Sequence, residues 1–98
     1  MVHIPEGSIL VRVSEQDMLD ALPVARDRRE DRGWPSVNGW VTRLDIYDAL
    51  LLEIGFVESE AYKIFKRDVR DLLDRLAVHG MIDVTVDSLG TVWYRLPQ

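Results

Sequence analysis

The stretch that most constrains this chain runs from residue 58 to residue 80 and reads ESEAYKIFKRDVRDLLDRLAVHG. At about 100° per residue, its large apolar side chains fall on one face of an α-helix. That face consists of Tyr62, Phe65, Val69, Leu72, Leu73 and Leu76. A second face carries cations spaced i, i+3, i+4 and i+7, which are Lys63, Lys66, Arg67 and Arg70. The stretch therefore predicts a helix that packs on a core through one face and presents positive charge on another.

The pattern favours one continuous helix from Glu58 to His79, because the apolar phase is unbroken and no glycine or proline interrupts it. The alternative is a break near Phe65 to Asp68, which gives a short helix and a longer one. In both arrangements the cations stay close together. Gly80 is expected to end the helix, since glycine adopts the left-handed conformation at low cost.

Composition limits the functions that this chain can have. Its 98 residues suit a single domain, and 47% hydrophobic with 30% charged residues is ordinary for a globular protein. The absence of cysteine excludes disulfides and thiolate metal sites and fits a cytoplasmic location. No apolar run approaches the roughly 20 residues of a membrane span, so we expect no membrane partner. A net charge of −5 opposes general attraction to nucleic acid, so such binding needs a local basic patch.

Residues 1–39 predict an N-terminal extension made of a short strand, a short helix and a charged loop. The strand is expected at residues 8–13, which are rich in β-branched residues. Ser14, followed by Asp17, is a helix-start signal before several apolar residues. Pro23 is expected to stop or kink this helix, because proline lacks an N–H donor and clashes with the preceding turn.

Residues 26–39 combine alternating charges with glycine and proline. The arginines of this segment are Arg26, Arg28, Arg29 and Arg32. Such a composition indicates a solvated loop. The alternative is a flexible arginine arm that contacts phosphate.

Residues 40–98 predict a second unit, in which helices precede a β-hairpin. Thr42 with Asp45 is a second helix-start signal. The following helix is expected to place Leu44, Tyr47, Leu51 and Ile54 in the core, with Asp45 and Asp48 facing away. After the long helix the pattern alternates every second residue, which predicts strands at residues 81–87 and 91–96 joined by a tight turn.

The order of helix, short link, helix, glycine and hairpin resembles the winged helix-turn-helix domain of transcription regulators. The closest similarity lies in KRDVRDLLDRLAVHGMI, residues 66–82, which is similar in apolar pattern to a recognition helix and first wing strand of MarR-like and ArsR-like regulators. The resemblance covers residues 42–97. It implies an α+β fold with a C-terminal two-stranded wing, in which the recognition helix enters the major groove of DNA.

The resemblance makes double-stranded DNA the expected partner and a homodimer the expected form, since one short helix reads only a half-site. The expected contacts are Ser59, Lys63, Lys66, Arg67 and Arg70 on the helix, and Ser88 with backbone N–H groups at the hairpin tip. Dimerisation is expected through the N-terminal segment up to Leu22, whose apolar residues have no obvious place on the helix-and-hairpin core. The hairpin departs from the family pattern, because it carries Asp83 and Asp87 and no lysine.

The alternative function is a protein-interaction module that keeps the winged-helix fold and has no direct DNA readout. The acidic net charge, the acidic hairpin and the three tryptophans favour this alternative. Catalysis finds little support, because the sequence has no phosphate-cradling glycine loop, no HExxH pair and no cysteine nucleophile. We therefore expect no enzyme activity, no cofactor and no metal.

Overall fold

The computed structural model describes residues 13–34, 37–54 and 59–97, with side chains for all of these except 52–54, 59 and 60. They form three α-helices and a three-stranded antiparallel sheet, so the chain is an α+β protein as expected. The elements are α1 (Glu15–Asp31), β1 (Val41–Thr42), α2 (Arg43–Ile54), α3 (Ser59–Val78), β2 (Asp83–Val86) and β3 (Val92–Arg95), with a 3-10 turn at Val37–Gly39. The sheet order is β1-β3-β2. The strand predicted at residues 8–13 lies outside the described residues except for Val13, which is not in a strand.

Helix α1 begins where the sequence predicts and continues much further. The Ser14 hydroxyl accepts a hydrogen bond from the Asp17 N–H (3.0 Å), and the Asp17 carboxylate accepts one from the Ser14 N–H (2.9 Å). Pro23 lies inside the helix, which reaches Asp31, so the prediction of a charged loop is wrong for residues 26–31. Because Pro23 is exposed, the carbonyl that loses its N–H partner there can bond to water instead.

Three of the arginines expected in a loop instead bind helix α2. Arg28 Nε and Arg32 Nη2 each lie 2.7 Å from Asp48 Oδ2, and Arg29 Nη1 lies 3.0 Å from Asp45 Oδ2. The Arg29 and Asp45 side chains are only 12% exposed. Both sequence interpretations of this segment, the solvated loop and the phosphate-binding arm, are therefore wrong for these residues. Asp45 and Asp48 face α1, and the expectation that they face away is also wrong.

A single core joins the three helices to the sheet. Its buried residues are Met18, Ala21, Leu22, Ala25, Val41, Ile46, Tyr47, Ala49, Leu50, Phe65, Val69, Leu72, Leu73, Leu76, Ile82 and Tyr94. The apolar residues of α1 thus fill the core of their own chain. For the described part of the segment up to Leu22, this removes the reason for expecting dimer contacts, and residues 1–12 lie outside the described residues.

Helix α2 is rotated about its axis relative to the prediction. Leu44 was expected in the core but is 73% exposed, whereas Ile46 and Leu50 are buried. Tyr47 is buried as expected, and Leu51 packs against the edge of the core. The rotation follows from the ion pairs with α1, which draw the acidic side of α2 toward the neighbouring helix. The side chain of Ile54 lies outside the described residues.

Helix α3 is continuous, as the unbroken apolar phase favoured. Its end is a Schellman motif, in which the Met81 N–H donates to the Leu76 carbonyl (2.9 Å) and the Gly80 N–H donates to the Ala77 carbonyl (3.0 Å). Gly80 has a φ of 71°, which is the left-handed conformation that glycine adopts without strain. The predicted hairpin follows, with strands slightly shorter than expected.

Strand β1 was not predicted. It contains only two residues, and it pairs with β3 through Val41 opposite Tyr94 and Thr42 opposite Trp93. Val41 and Tyr94 are both buried, so this pairing ties the start of α2 to the centre of the sheet. No helix in the described part of the chain is long and apolar enough to cross a membrane.

The orientation of α2 can be tested with two leucines on that helix. Leu50→Ala should lower the free energy of unfolding by about 2–5 kcal/mol, because Leu50 is 3% exposed and its truncation leaves a cavity. Leu44→Ala should change it by less than about 0.5 kcal/mol, as surface substitutions do. Urea denaturation of both variants measures the two values, and equal losses would contradict the described orientation.

The ion pairs of Asp48 predict a pH dependence of stability. Burial raises the pKa of this carboxyl, but hydrogen bonds from Arg28 and Arg32, with their charges, outweigh burial and hold it below its usual value. The lowered pKa stabilises the fold above the unfolded-state pKa of about 3.9, and this contribution is lost as pH falls through the folded-state pKa. Asp48→Asn should therefore lower stability at neutral pH and weaken its loss on acidification. Urea denaturation at several pH values measures the free energy of unfolding of both proteins. If both lose the same free energy of unfolding between pH 7 and pH 3, the prediction is refuted.

Candidate nucleic-acid interface

Four cations lie along the exposed side of α3, opposite its buried stripe. Lys63, Lys66, Arg67 and Arg70 surround an open depression of about 390 Å³, with Tyr47 of α2 as its fifth lining residue. We call these four side chains the basic surface. The sequence predicted that they share one face, and the structure brings them together. Within the described part of the chain, no carboxylate lines the depression.

The contacts of Lys66 and Arg67 leave the positive charge of these two side chains available to a ligand. Lys66 Nζ lies 4.8 Å from the centre of the Tyr62 ring, a cation–π contact that keeps the charge at the surface. Arg67 Nε lies 3.8 Å from Asp68 Oδ1, and both side chains are well exposed, so this pair contributes little. Among the described residues, none forms an ion pair with Arg70. In the described ranges, the charges of Lys66, Arg67 and Arg70 are therefore only weakly compensated by acids.

The aromatic floor of the depression reveals a further cation that the sequence analysis missed. Burial raises the pKa of the Tyr47 hydroxyl, and the positive charges of Arg43 and Arg70 act in the opposite direction. The same two arginines act on buried Tyr94 of β3, whose pKa is also raised by burial. Arg43 lies one helical turn before Tyr47 on α2, so its charge acts on the same hydroxyl as that of Arg70. Its position at the first residue of α2 gave no such signal in the sequence, because only the fold brings α2 beside α3.

The basic surface lies between Lys63 and Arg70, and the C-terminal part of α3 carries none of its four cations. Asp74 follows Arg70 by four residues, which places it one turn further on the same side of the helix. Asp71 and Asp74 are exposed, so the second half of the helix is less positive than the first. The positive charge of α3 is therefore concentrated between Lys63 and Arg70. Ser59 starts the helix, but its side chain lies outside the described residues.

The hairpin tip is organised around Asp87 rather than open for phosphate. The Asp87 carboxylate accepts hydrogen bonds from the Leu89 N–H (2.8 Å), the Thr91 N–H (3.0 Å) and the Trp93 Nε1–H (2.9 Å). The Trp93 indole and these backbone donors lower the pKa of Asp87, against a smaller effect of desolvation. Ser88 thus sits beside a fixed negative charge in a turn whose neighbouring N–H donors are used internally. The structure does not bring Ser88 and the basic surface into one site.

No chemistry other than charge and hydrogen bonding is evident at this surface. In the described ranges, no cluster of histidine, cysteine or acidic side chains could hold a metal ion. Every buried side-chain nitrogen or oxygen in those ranges has a hydrogen-bond partner.

Comparisons with known proteins add no assignment to this geometry. No family model matches the chain, and neither curated proteins nor solved structures gave a significant match. The functional argument therefore rests on the residues of this chain.

The proximity of Arg70 to Tyr47 can be tested without any ligand. Arg70→Ala should raise the pKa of the Tyr47 hydroxyl further, because a nearby positive charge that favours the phenolate is lost. Arg75→Ala removes the same charge from another side of α3 and should leave that pKa unchanged. Titration of the Tyr47 ring signals by NMR measures both. If the pKa of the Tyr47 hydroxyl is the same in the wild type and in the Arg70→Ala variant, Arg70 does not lie close to Tyr47.

Proposed function

We propose that this protein is a winged helix-turn-helix regulator of transcription that binds double-stranded DNA through the basic surface of α3 and acts as a dimer. The observation that carries the proposal is the cluster of Lys63, Lys66, Arg67 and Arg70 around a depression with no described carboxylate in its lining. The net charge of −5 directs a polyanion to this cluster, because the rest of the chain repels it.

The order of the elements supports the proposal. Helix α2, a short link, α3, a glycine-ended helix terminus and a hairpin follow one another as in the family that the sequence resembles. Helix α3 then occupies the place of the recognition helix. Its apolar face is buried, so the basic surface is the side that it presents to a partner.

The dimensions of the basic surface suit the major groove. From Lys63 to Arg70 the helix rises about 10 Å, at 1.5 Å per residue. The major groove of B-DNA, about 12 Å wide, admits one α-helix with its side chains directed at base edges and phosphates. Arginine is suited to both, since its planar guanidinium binds phosphate or guanine in a bidentate manner.

Helix energetics also favour an anionic partner. Lys63 with Arg67 and Lys66 with Arg70 are like-charge pairs at i, i+4 spacing, which destabilise an isolated helix by a few tenths of a kcal/mol each. A phosphate placed between such cations removes the repulsion and adds charge-assisted hydrogen bonds. The repulsion therefore becomes part of the driving force for binding.

DNA binding can be tested through its salt dependence. If all four cations contact phosphate, the log–log slope of affinity against salt should be about −4 per copy and about −7 for a dimer, at −0.9 per contact. Arg67→Ala combined with Arg70→Ala should make the slope shallower by about two units per copy, because two contacts are lost. Both side chains are exposed, so the fold should persist. Fluorescence polarisation with a random duplex at several salt concentrations gives both slopes.

A matched control separates local contacts from net charge. Arg26→Ala combined with Arg75→Ala removes the same charge from exposed positions away from the basic surface. This variant should keep the wild-type slope. If the Arg67 and Arg70 variant instead binds with unchanged affinity and slope, the DNA proposal fails. The protein-interaction module, in which the fold is kept and binding goes to another protein, then takes its place.

A further inference from the structure

Strand β2 forms an unpaired edge of the sheet in the described part of the chain. In the order β1-β3-β2, its one described neighbour is β3. Two of its valines are unusually exposed for apolar strand residues, with Val84 at 42% and Val86 at 59%. Exposed edge strands with apolar side chains are templates for pairing with another strand.

The hairpin ladder fixes which backbone groups of β2 point outward. The Asp87 N–H donates to the Thr91 carbonyl (3.0 Å), so these two residues form a hydrogen-bonded pair. Hydrogen-bonded and non-hydrogen-bonded pairs alternate along an antiparallel ladder. The N–H and C=O of Thr85, which lies opposite Trp93, therefore form hydrogen bonds with β3. Val84, opposite Tyr94, directs its N–H and C=O away from β3. The outward backbone groups thus belong to the two exposed valines.

We propose that the chain dimerises by antiparallel pairing of β2 with β2 of a second copy, in a register centred on Val84. This pairing joins the two sheets into one sheet of six strands related by a two-fold axis. It replaces the N-terminal segment up to Leu22 as the dimer contact, because the apolar residues of α1 pack in the core of their own chain. The proposal is independent of DNA binding.

Charge selects the register. A pairing centred on Asp83 places the two Asp83 carboxylates opposite each other, and one centred on Thr85 places Asp83 opposite Asp87 of the second copy. Like charges directly opposite are destabilising in a ladder. A pairing centred on Val86 extends into the turn that begins after this residue. The register centred on Val84 avoids each of these problems.

That register is also complementary in its side chains. Val84 of one copy exchanges two backbone hydrogen bonds with Val84 of the other. Asp83 then lies opposite Thr85 of the second copy, and its carboxylate stays bound to Arg95 Nε of its own chain (3.2 Å). Val86 faces Ile82 of the second copy, which covers part of its exposed surface. The contact is short, so we expect a dimer that forms reversibly as concentration rises.

The decisive substitution is Val84→Pro. It removes the outward N–H while leaving the hydrogen bonds between β2 and β3 in place, and proline is tolerated at such edge positions. Two hydrogen bonds are lost per dimer, so we expect the dissociation constant to rise about tenfold to a hundredfold. Val84→Ala keeps the N–H and serves as the control, with a smaller increase. Sedimentation velocity over a range of concentrations measures the constant for each protein, and circular dichroism checks that each is folded.

Amide hydrogen exchange of the wild type gives a second readout that needs no variant. The Val84 N–H should be protected at high protein concentration and exchange freely at low concentration, whereas the Thr85 N–H should be protected at both. The proposal is overturned if the wild type sediments as a monomer of 11.3 kDa at every concentration up to the millimolar range. It is also overturned by a folded Val84→Pro variant that dimerises as tightly as the wild type, or by a Val84 N–H whose exchange is independent of concentration.

Discussion

The arrangement of helices and sheet depends most on the ion pair between Arg29 and Asp45. Asp45 Oδ2 accepts hydrogen bonds from the Thr42 N–H (2.9 Å) and the Thr42 hydroxyl (2.9 Å) as well as from Arg29 Nη1 (3.0 Å). The Arg29 guanidinium also lies 4.9 Å from the centre of the Trp93 ring on β3. One carboxylate therefore caps α2, binds α1 and, through Arg29, contacts the sheet. Because both side chains are nearly buried, removing either partner of such a pair leaves an uncompensated charge and costs about 3–5 kcal/mol.

This interaction has consequences for the surface that we assign to DNA. With the acidic side of α2 held against α1, the helix turns Ile46 and Leu50 into the core and brings Tyr47 beside α3. Arg43, at the start of α2, then adds its charge to the neighbourhood of Arg70. The basic surface is thus built on two helices whose mutual position is set by buried contacts on their other sides.

Helix α3 could be predicted from the sequence because its information is local. Its apolar stripe, its line of cations and Gly80 at its end each follow from spacing along one element. Helix α1 could not be predicted at full length, since Pro23 carries a local cost of about 3 kcal/mol that favours a helix end. That cost is offset by four buried side chains and by ion pairs to α2, which are tertiary contacts. The sequence alone does not reveal such offsets.

Two further differences have the same origin. Asp45 and Asp48 were assigned to solvent because isolated acids usually face water, yet they lie opposite arginines of α1. Leu44 was consequently placed in the core, but it is exposed and Ile46 is buried instead. Strand β1 has two residues and exists only through its pairing with β3, so no local pattern could signal it. The candidate site was predictable in its α3 residues for the reason given above, and Arg43 was not.

The most direct test of the DNA proposal is an NMR titration of the ¹⁵N-labelled wild type with a short DNA duplex. The account predicts that the largest shift changes occur at the backbone amides of residues 63–70 and at Arg43. The amides of Asp87 to Gly90 at the hairpin tip should change little, because Asp87 holds that turn and repels phosphate. Largest changes at the hairpin tip, or a spectrum that the duplex leaves unaltered, would contradict the assignment of the basic surface of α3 as the interface with DNA.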